Sequence, residues 1–205
     1  MKTTRALLFA AAAAMVPGTA AAQNITTTFR VGGVQTPDVT TGRVGFEDPL
    51  SFKTGFSLSA SFGLGMTPDL RGEAEIGYVR ADVDNDGGVS TSGSFRHFLL
   101  MANAYYDFAP KAAINPFVGA GLGAARAQEV VEAFADGPRQ FFHRDVTRTA
   151  FAYQFRAGVT WNYLGGRTSL GYRFLNIRGG ETTPNAFPVR TDDVTQHSIE
   201  LGITF

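Results

Sequence analysis

The stretch "AFAYQFRAGVTWNY", Ala150 to Tyr163, decides how this chain folds. Its odd-numbered positions read Phe151, Tyr153, Phe155, Ala157, Val159, Trp161 and Tyr163, and its even-numbered ones Ala152, Gln154, Arg156, Gly158, Thr160 and Asn162. The first set is apolar or aromatic throughout; the second is polar or small. A strand sends alternate side chains to opposite faces and so separates the two sets, whereas a helix would mix them around its circumference.

The same period recurs along the chain. At the end, His197, Ile199, Leu201, Ile203 and Phe205 share one face, and Gln196, Ser198, Glu200, Gly202 and Thr204 the other. Phe56, Leu58, Ala60, Phe62, Leu64 and Met66 alternate with serines and glycines, and Leu70, Ala74, Ile76 and Tyr78 lie opposite Arg71, Glu73, Glu75 and Gly77. Read throughout, the pattern predicts about eight strands, near 25–34, 55–67, 70–82, 95–109, 114–128, 148–164, 167–178 and 194–205. Short turns at 67–69, 109–113 and 164–166 alternate with long loops at 35–54, 83–94, 129–147 and 179–193. Short connections on one side and long ones on the other are the mark of an outer-membrane barrel, with both chain ends on the short-turn, periplasmic side.

A soluble sandwich or lipocalin-like barrel would also alternate, with its apolar face inward. Two features oppose it. Arg71, Glu73, Glu75, Arg156, Arg173 and Glu200, with Arg30 and Asp107 less firmly placed, put pairable charges on the other face. The apolar faces also end in aromatics: Trp161, Tyr163, Tyr106, Phe108 and Phe205 toward the short turns, Tyr78, Phe151, Tyr153 and Phe174 toward the long loops. Two aromatic girdles around an aliphatic band fit a bilayer. The fold expected is an all-β, eight-stranded antiparallel up-and-down transmembrane β-barrel.

Composition agrees. Charged residues are 18% of the 205, against a usual ~25%, and there are 24 glycines and 18 phenylalanines. The absence of cysteine excludes disulfides, thiolate metal sites and thiol nucleophiles. Lys2 and Arg5, the apolar run "ALLFAAAAAMV" and small residues at Ala20 and Ala22 read as a signal peptide over 1–22, leaving the barrel domain as 23–205. Without Lys2 and Arg5 the chain carries 16 basic and 18 acidic residues, a net charge near −2 that argues against nucleic acid as a partner.

"FLLMANAYYDF" (98–108), "INPFVGAGLGAA" (114–125), "LGYRFL" (170–175) and "HSIELGITF" (197–205) resemble the opacity-protein-like family of small outer-membrane barrels, related in architecture to the OmpA transmembrane domain. The resemblance covers essentially all of 23–205. It implies a monomer in the Gram-negative outer membrane, in contact with outer-membrane lipids and lipopolysaccharide. Phe205, with apolar residues at 199, 201 and 203, resembles the C-terminal signal read by the barrel-assembly machinery, which implies that machinery and periplasmic chaperones as partners in biogenesis. One departure is that no globular domain follows Phe205, so a peptidoglycan-binding module is expected to be absent.

Motifs for chemistry are weak. Asp82, Asp84, Asp86 and Gly87 begin as an EF-hand loop does, but its twelfth position, which needs a bidentate Glu, is Gly93. The segment reads better as a polar hairpin tip. The histidines are His97, His143 and His197; Ser198 beside His197 points to the opposite face, His143 has no adjacent serine, and no G-x-S-x-G occurs. No catalytic, cofactor or metal residues are therefore assigned, and the chain is expected not to be an enzyme and to need no cofactor. A triad assembled from separate strands stays open, as in lipid A-modifying barrels. So does a narrow gated channel, although eight strands enclose little more than their own side chains.

In "PFVGAGLGAA" the glycines follow G-x-G-x-G, not the G-x-G-x-x-G of a dinucleotide loop. Gly119, Gly121 and Gly123 share one strand face, and read as clearance for the arginines, glutamates and aromatics of neighbouring strands. The expected role is envelope integrity together with surface contact through the long loops, including contact with extracellular or host ligands. Loop 129–147 mixes Glu132, Asp136, Arg139, His143 and Arg144 with Phe134, Phe141 and Phe142, a composition suited to such contact.

Overall fold

Strands joined by turns of only a few residues have little choice but to pair antiparallel with their chain neighbours. The short turns here are well determined. Met66 and Thr67 both donate backbone N–H bonds to the Leu70 carbonyl, at 2.9 and 3.1 Å, and Thr67 Oγ1 accepts from Leu70 N at 3.0 Å. The third turn reverses at Gly165, whose φ of 77° is open to glycine at little cost.

The computed structural model describes residues 25–37, 39–43, 46–50, 54–82, 90–135, 140–163, 165–182 and 189–205. Among these the regular elements are all strands: β1 (Ile25–Gln35), β2 (Val39–Arg43), β3 (Phe46–Leu50), β4 (Gly55–Gly65), β5 (Leu70–Asp82), β6 (Ser90–Asp107), β7 (Ile114–Ala135), β8 (Gln140–Tyr163), β9 (Gly166–Ile177), β10 (Gly180–Thr182), β11 (Val189–Thr191) and β12 (Val194–Thr204). Eight of them close a barrel in the order β1-β12-β9-β8-β7-β6-β5-β4. The seam joins the two ends of the domain, with Thr27 and Phe205 exchanging backbone bonds at 3.0 and 2.9 Å. Paired residues followed once around the barrel from Arg96 pass through Arg80, Phe56, Gly33, Ile199, Tyr172, Ala157 and Val118, and return to β6 at Tyr106, ten residues along. That stagger tilts the strands, and with eight of them leaves an interior that side chains can fill.

Burial is inverted relative to a soluble domain. Phe62, Ile76 and Leu122 are 66, 63 and 62% exposed on the outer wall, while Glu75 and Arg173 inside are each 1% exposed. Such a surface is costly in water and neutral in hydrocarbon, and the closed ladder leaves no unpaired barrel edge to lipid. The aromatic rims fall at the two ends expected. Tyr106 and Phe108 pack edge-to-face near the turns, and Phe56, Tyr78 and Phe98 form a row near the opposite end.

The long connections differ from the loops expected. β7 continues to Ala135 and β8 starts at Gln140, so most of 129–147 is hairpin, and β6 begins at Ser90 within 83–94. Segments 35–54 and 179–193 pair with one another in a second sheet, ordered β10-β11-β2-β3, through Arg190↔Gly42 and Thr191↔Thr41. The reason is backbone hydrogen bonding: once a hairpin is in register, each added pair satisfies its own polar groups, even where the side-chain pattern is mixed. Pro49 sits on β3, at the outer edge of that sheet, the position where strands tolerate proline.

Candidate functional site

The lumen is where this chain concentrates its buried chemistry. Strand parity aims Arg30 from β1, Arg71, Glu73 and Glu75 from β5, Asp107 from β6, Arg156 from β8, Arg173 from β9 and Glu200 from β12 into one layer. All eight residues named from the sequence, including the two less firmly placed, meet there.

Arg156 is the hub. Its Nη1 and Nη2 donate to the two Glu75 oxygens at 2.5 and 2.9 Å, its Nε to Glu200 Oε2 at 2.9 Å, and its Nη1 also to Tyr105 Oη at 2.8 Å. Glu75 accepts in addition from Asn103 Nδ2 at 2.9 Å, and Gln154 Nε2 donates to Asn103 Oδ1 at 2.7 Å. Arg173 Nε reaches Glu200 Oε1 and Ser198 Oγ, both at 3.2 Å.

A second knot lies toward the short turns. Arg30 donates to Glu73 Oε2 at 2.7 Å and to Ser61 Oγ at 3.0 Å. Arg71 pairs with Glu73 and donates from Nε to Asp107 Oδ2 at 3.0 Å; Asn115 Nδ2 donates to Asp107 Oδ1 at 2.8 Å. The Tyr105 ring joins the knots, with the Arg71 guanidinium 4.2 Å from its centroid and Phe117 edge-on at 6.0 Å. Four arginines thus meet four carboxylates, so the layer is neutral as a whole. Buried charges are tolerated in this way, paired and hydrogen-bonded at once.

Above this layer the lumen changes character. Val34, Val79, Leu99, Met101, Ala125, Ala152, Leu175, Ile177 and Val194 form an apolar cluster toward the long connections. Sequence reasoning missed it, because on β6 and β8 the inward residues are flanked by apolar ones (Phe98 and Leu100, Phe151 and Tyr153) and alternation fades, while around Ile177 and Val194 the neighbours are polar and the usual pattern is reversed. The available signal was a switch along single strands: Glu75 gives way to Val79 on β5, and Arg173 to Leu175 and Ile177 on β9.

The glycines of β7 are a clearance, as expected for an aromatic at Gly119, but for an amide and an apolar side chain rather than for charged groups at Gly121 and Gly123. A Cβ on Gly119 would run into the Tyr105 ring, one on Gly121 into the Asn103 amide, and one on Gly123 into the Leu100 carbonyl and Met101. Gly119 and Gly121 make room for Tyr105, which bonds Arg156, and for Asn103, which bonds Glu75; Gly123 makes room for Met101 of the apolar cluster.

Other sequence candidates scatter. His197 lies on the outer wall, where the Tyr172 hydroxyl and its Nδ1 are 2.5 Å apart, while Ser198 points inward to Arg173. His97 is fully buried in the lumen. Asp82 closes β5, bonded to Arg80; Asp84, Asp86 and Gly87 lie outside the described residues, as do the side chains of His143 and of 129–146. Among the described residues no cluster of His, Asp and Glu has the makings of a metal site.

Comparison with known proteins places this geometry. The chain is 26% identical over 157 residues to uncharacterized proteins of Brucella abortus, Brucella suis and Brucella melitensis, covering 65% of this chain and 55% of theirs. It therefore spans little more than half the length of the curated relatives it matches. Among solved structures it is similar to Neisserial surface protein A (TM-score 0.52, 19% identity, covering 88% of this chain and 95% of that one). It is equally similar to OprG from Pseudomonas aeruginosa (TM-score 0.52, 12% identity, 88% and 95% covered). The solid-state NMR structure of AlkL in lipid bilayers also matches (TM-score 0.52, 14% identity, 93% and 94% covered). At such identities the likeness is one of fold. The sequence itself matches the outer membrane protein beta-barrel domain over residues 6–205. A closed eight-stranded barrel, an apolar outer wall and a match over nearly the whole chain establish that this protein belongs to the outer membrane protein beta-barrel family and resides in the Gram-negative outer membrane.

Proposed function

We propose that the protein is a non-enzymatic structural component of the outer membrane that also presents a contact surface outside the cell. The observation that carries this reading is the filled lumen beneath extended strands. A neutral charged layer and an apolar layer occupy the barrel in series, so the wall is braced rather than perforated. Beyond them β6, β7 and β8 continue as a ribbon, and β2, β3, β10 and β11 pair into a separate sheet. Paired backbone holds a surface in place better than an unpaired loop does, and so lowers the ordering cost of binding.

The test is deletion of 129–147 with a short turn in its place, scored in one strain for adhesion, envelope leakage and conductance. Loss of adhesion with an intact barrel supports the contact role. Undiminished adhesion and unchanged leakage would sink it.

A narrow gated channel is the second reading. Arg173 favours it, since its Nη1 and Nη2 are buried without a hydrogen-bond partner among the described residues. Planar-bilayer conductance that disappears in Arg173→Met would support it. We also propose that residues 1–22 are removed on export, that the barrel-assembly machinery reads the segment ending at Phe205, and that the barrel is monomeric. Intact mass and native mass spectrometry of the outer-membrane form test the first and last of these.

A further inference from the structure

Three arginines meet on the outer wall, close above the extracellular aromatic row. Arg80 on β5 and Arg96 on β6 are direct cross-strand partners. Arg126 on β7 is the partner of Phe98, two positions along β6 from Arg96. Each is flanked in sequence by residues buried in the lumen: Val79 and Ala81, Phe95 and His97, Ala125 and Ala127. All three therefore point away from the lumen. Strand tilt brings Arg126 to the height of the other two.

Like charges directly opposed on one face of a sheet repel. Arg80 is relieved by Asp82, which accepts from its Nε and Nη2 at 3.1 and 3.0 Å. Among the described residues no carboxylate answers Arg96 or Arg126, and Arg96 Nε is buried with no hydrogen-bond partner. Among the described residues three guanidinium groups thus share one carboxylate. Nor is this a ring of charge around the barrel: the neighbouring outward positions Thr149, Asn176, Thr195 and Gln35 are uncharged. Arg178, at the mouth on another part of the wall, is occupied by Asp193 at 3.4 Å. Directly below the three arginines, Phe56, Tyr78 and Phe98 lie side by side along the wall, tilted against one another with ring centroids 6.0 and 5.0 Å apart. Aromatic rows of this kind sit where hydrocarbon meets head groups.

We propose that Arg80, Arg96 and Arg126 bind the phosphorylated head group of lipopolysaccharide in the outer leaflet, with its acyl chains lying along the aromatic row. Guanidinium N–H groups match phosphate oxygens in charge and in forked geometry. The phosphate would supply the anion that the opposed arginines lack. This inference rests on the placement of the barrel in the outer membrane.

The test uses the refolded full barrel in detergent, with affinity read by thermophoresis against lipopolysaccharide and against the same lipid stripped of phosphate. R96Q/R126Q is expected to weaken binding of the intact lipid at least tenfold. The dephosphorylated lipid should bind wild type no better than it binds the variant, R178Q should stay within twofold of wild type, and R96K/R126K should fall between. Equal affinity of wild type and R96Q/R126Q, or no loss on dephosphorylation, overturns the proposal. Inorganic phosphate that binds as well as the lipid overturns the lipid assignment. Should the double variant not fold, R96Q and R126Q singly carry the same reading at smaller fold-change. A barrel with normal heat-modifiable migration and unchanged affinity sinks the site alone. A chain with no such migration, absent from the outer-membrane fraction, sinks the placement beneath it.

Discussion

The two halves of the lumen are filled by opposite chemistry. Toward the periplasm, Arg156 is shared between Glu75 and Glu200, and Arg71 between Glu73 and Asp107, so each group depends on several others. Toward the outside, Val79, Leu99, Leu175 and Ile177 meet without directional bonds. The first layer fixes register, because a slip of one residue would turn every charge to lipid. The second seals space and tolerates change of shape better than change of charge. The barrel thus separates specificity from sealing along its axis.

The comparison fails if damage to the two layers is alike. Arg156→Ala leaves Glu75 without its arginine and Glu200 with Arg173 alone, in a lumen from which water is largely excluded, and should cost about 3–5 kcal/mol. A urea series in vesicles, read by heat-modifiable migration, measures this. Leu175→Ala leaves a cavity and no stranded charge, and should fall toward the lower part of about 2–5 kcal/mol on the same assay. If it cost more than Arg156→Ala, the charged layer would not be the brace argued here. In planar bilayers neither variant alone should open a stable pore, since the other layer remains; the double variant tests whether they close the lumen in series.

Smaller effects sharpen the boundary between the layers. Gly121→Leu drives a side chain into the Asn103 amide that supports Glu75. Overpacking of this kind costs about 1–3 kcal/mol, and a lower refolding yield into vesicles would register it. Tyr172→Phe removes the hydroxyl from His197 on the outer wall, remote from both layers. The expected loss is about 0.5–1.5 kcal/mol, with lumenal behaviour unchanged.

Much of this was legible in advance. Ala150 to Tyr163 alone separates Arg156 and Gln154 from Phe155 and Trp161, and the barrel keeps them apart. The three short turns fall where they were expected. The apolar layer was not legible, since Leu99 and Leu100 are both apolar and only parity tells the buried one from the exposed one. The pairing of 39–43 with 189–191 was hidden for another reason: partners so distant in sequence leave no local period.

The sequence by itself determined the eight barrel strands, their faces and the closure into a barrel, because a period of two and the lengths of the turns are local properties that survive without partners. Tertiary structure alone decided which arginine meets which carboxylate, that Gly121 makes way for Asn103, and that Arg80, Arg96 and Arg126 share one patch of outer wall. Those relations depend on stagger between strands, and stagger is set only when the barrel closes.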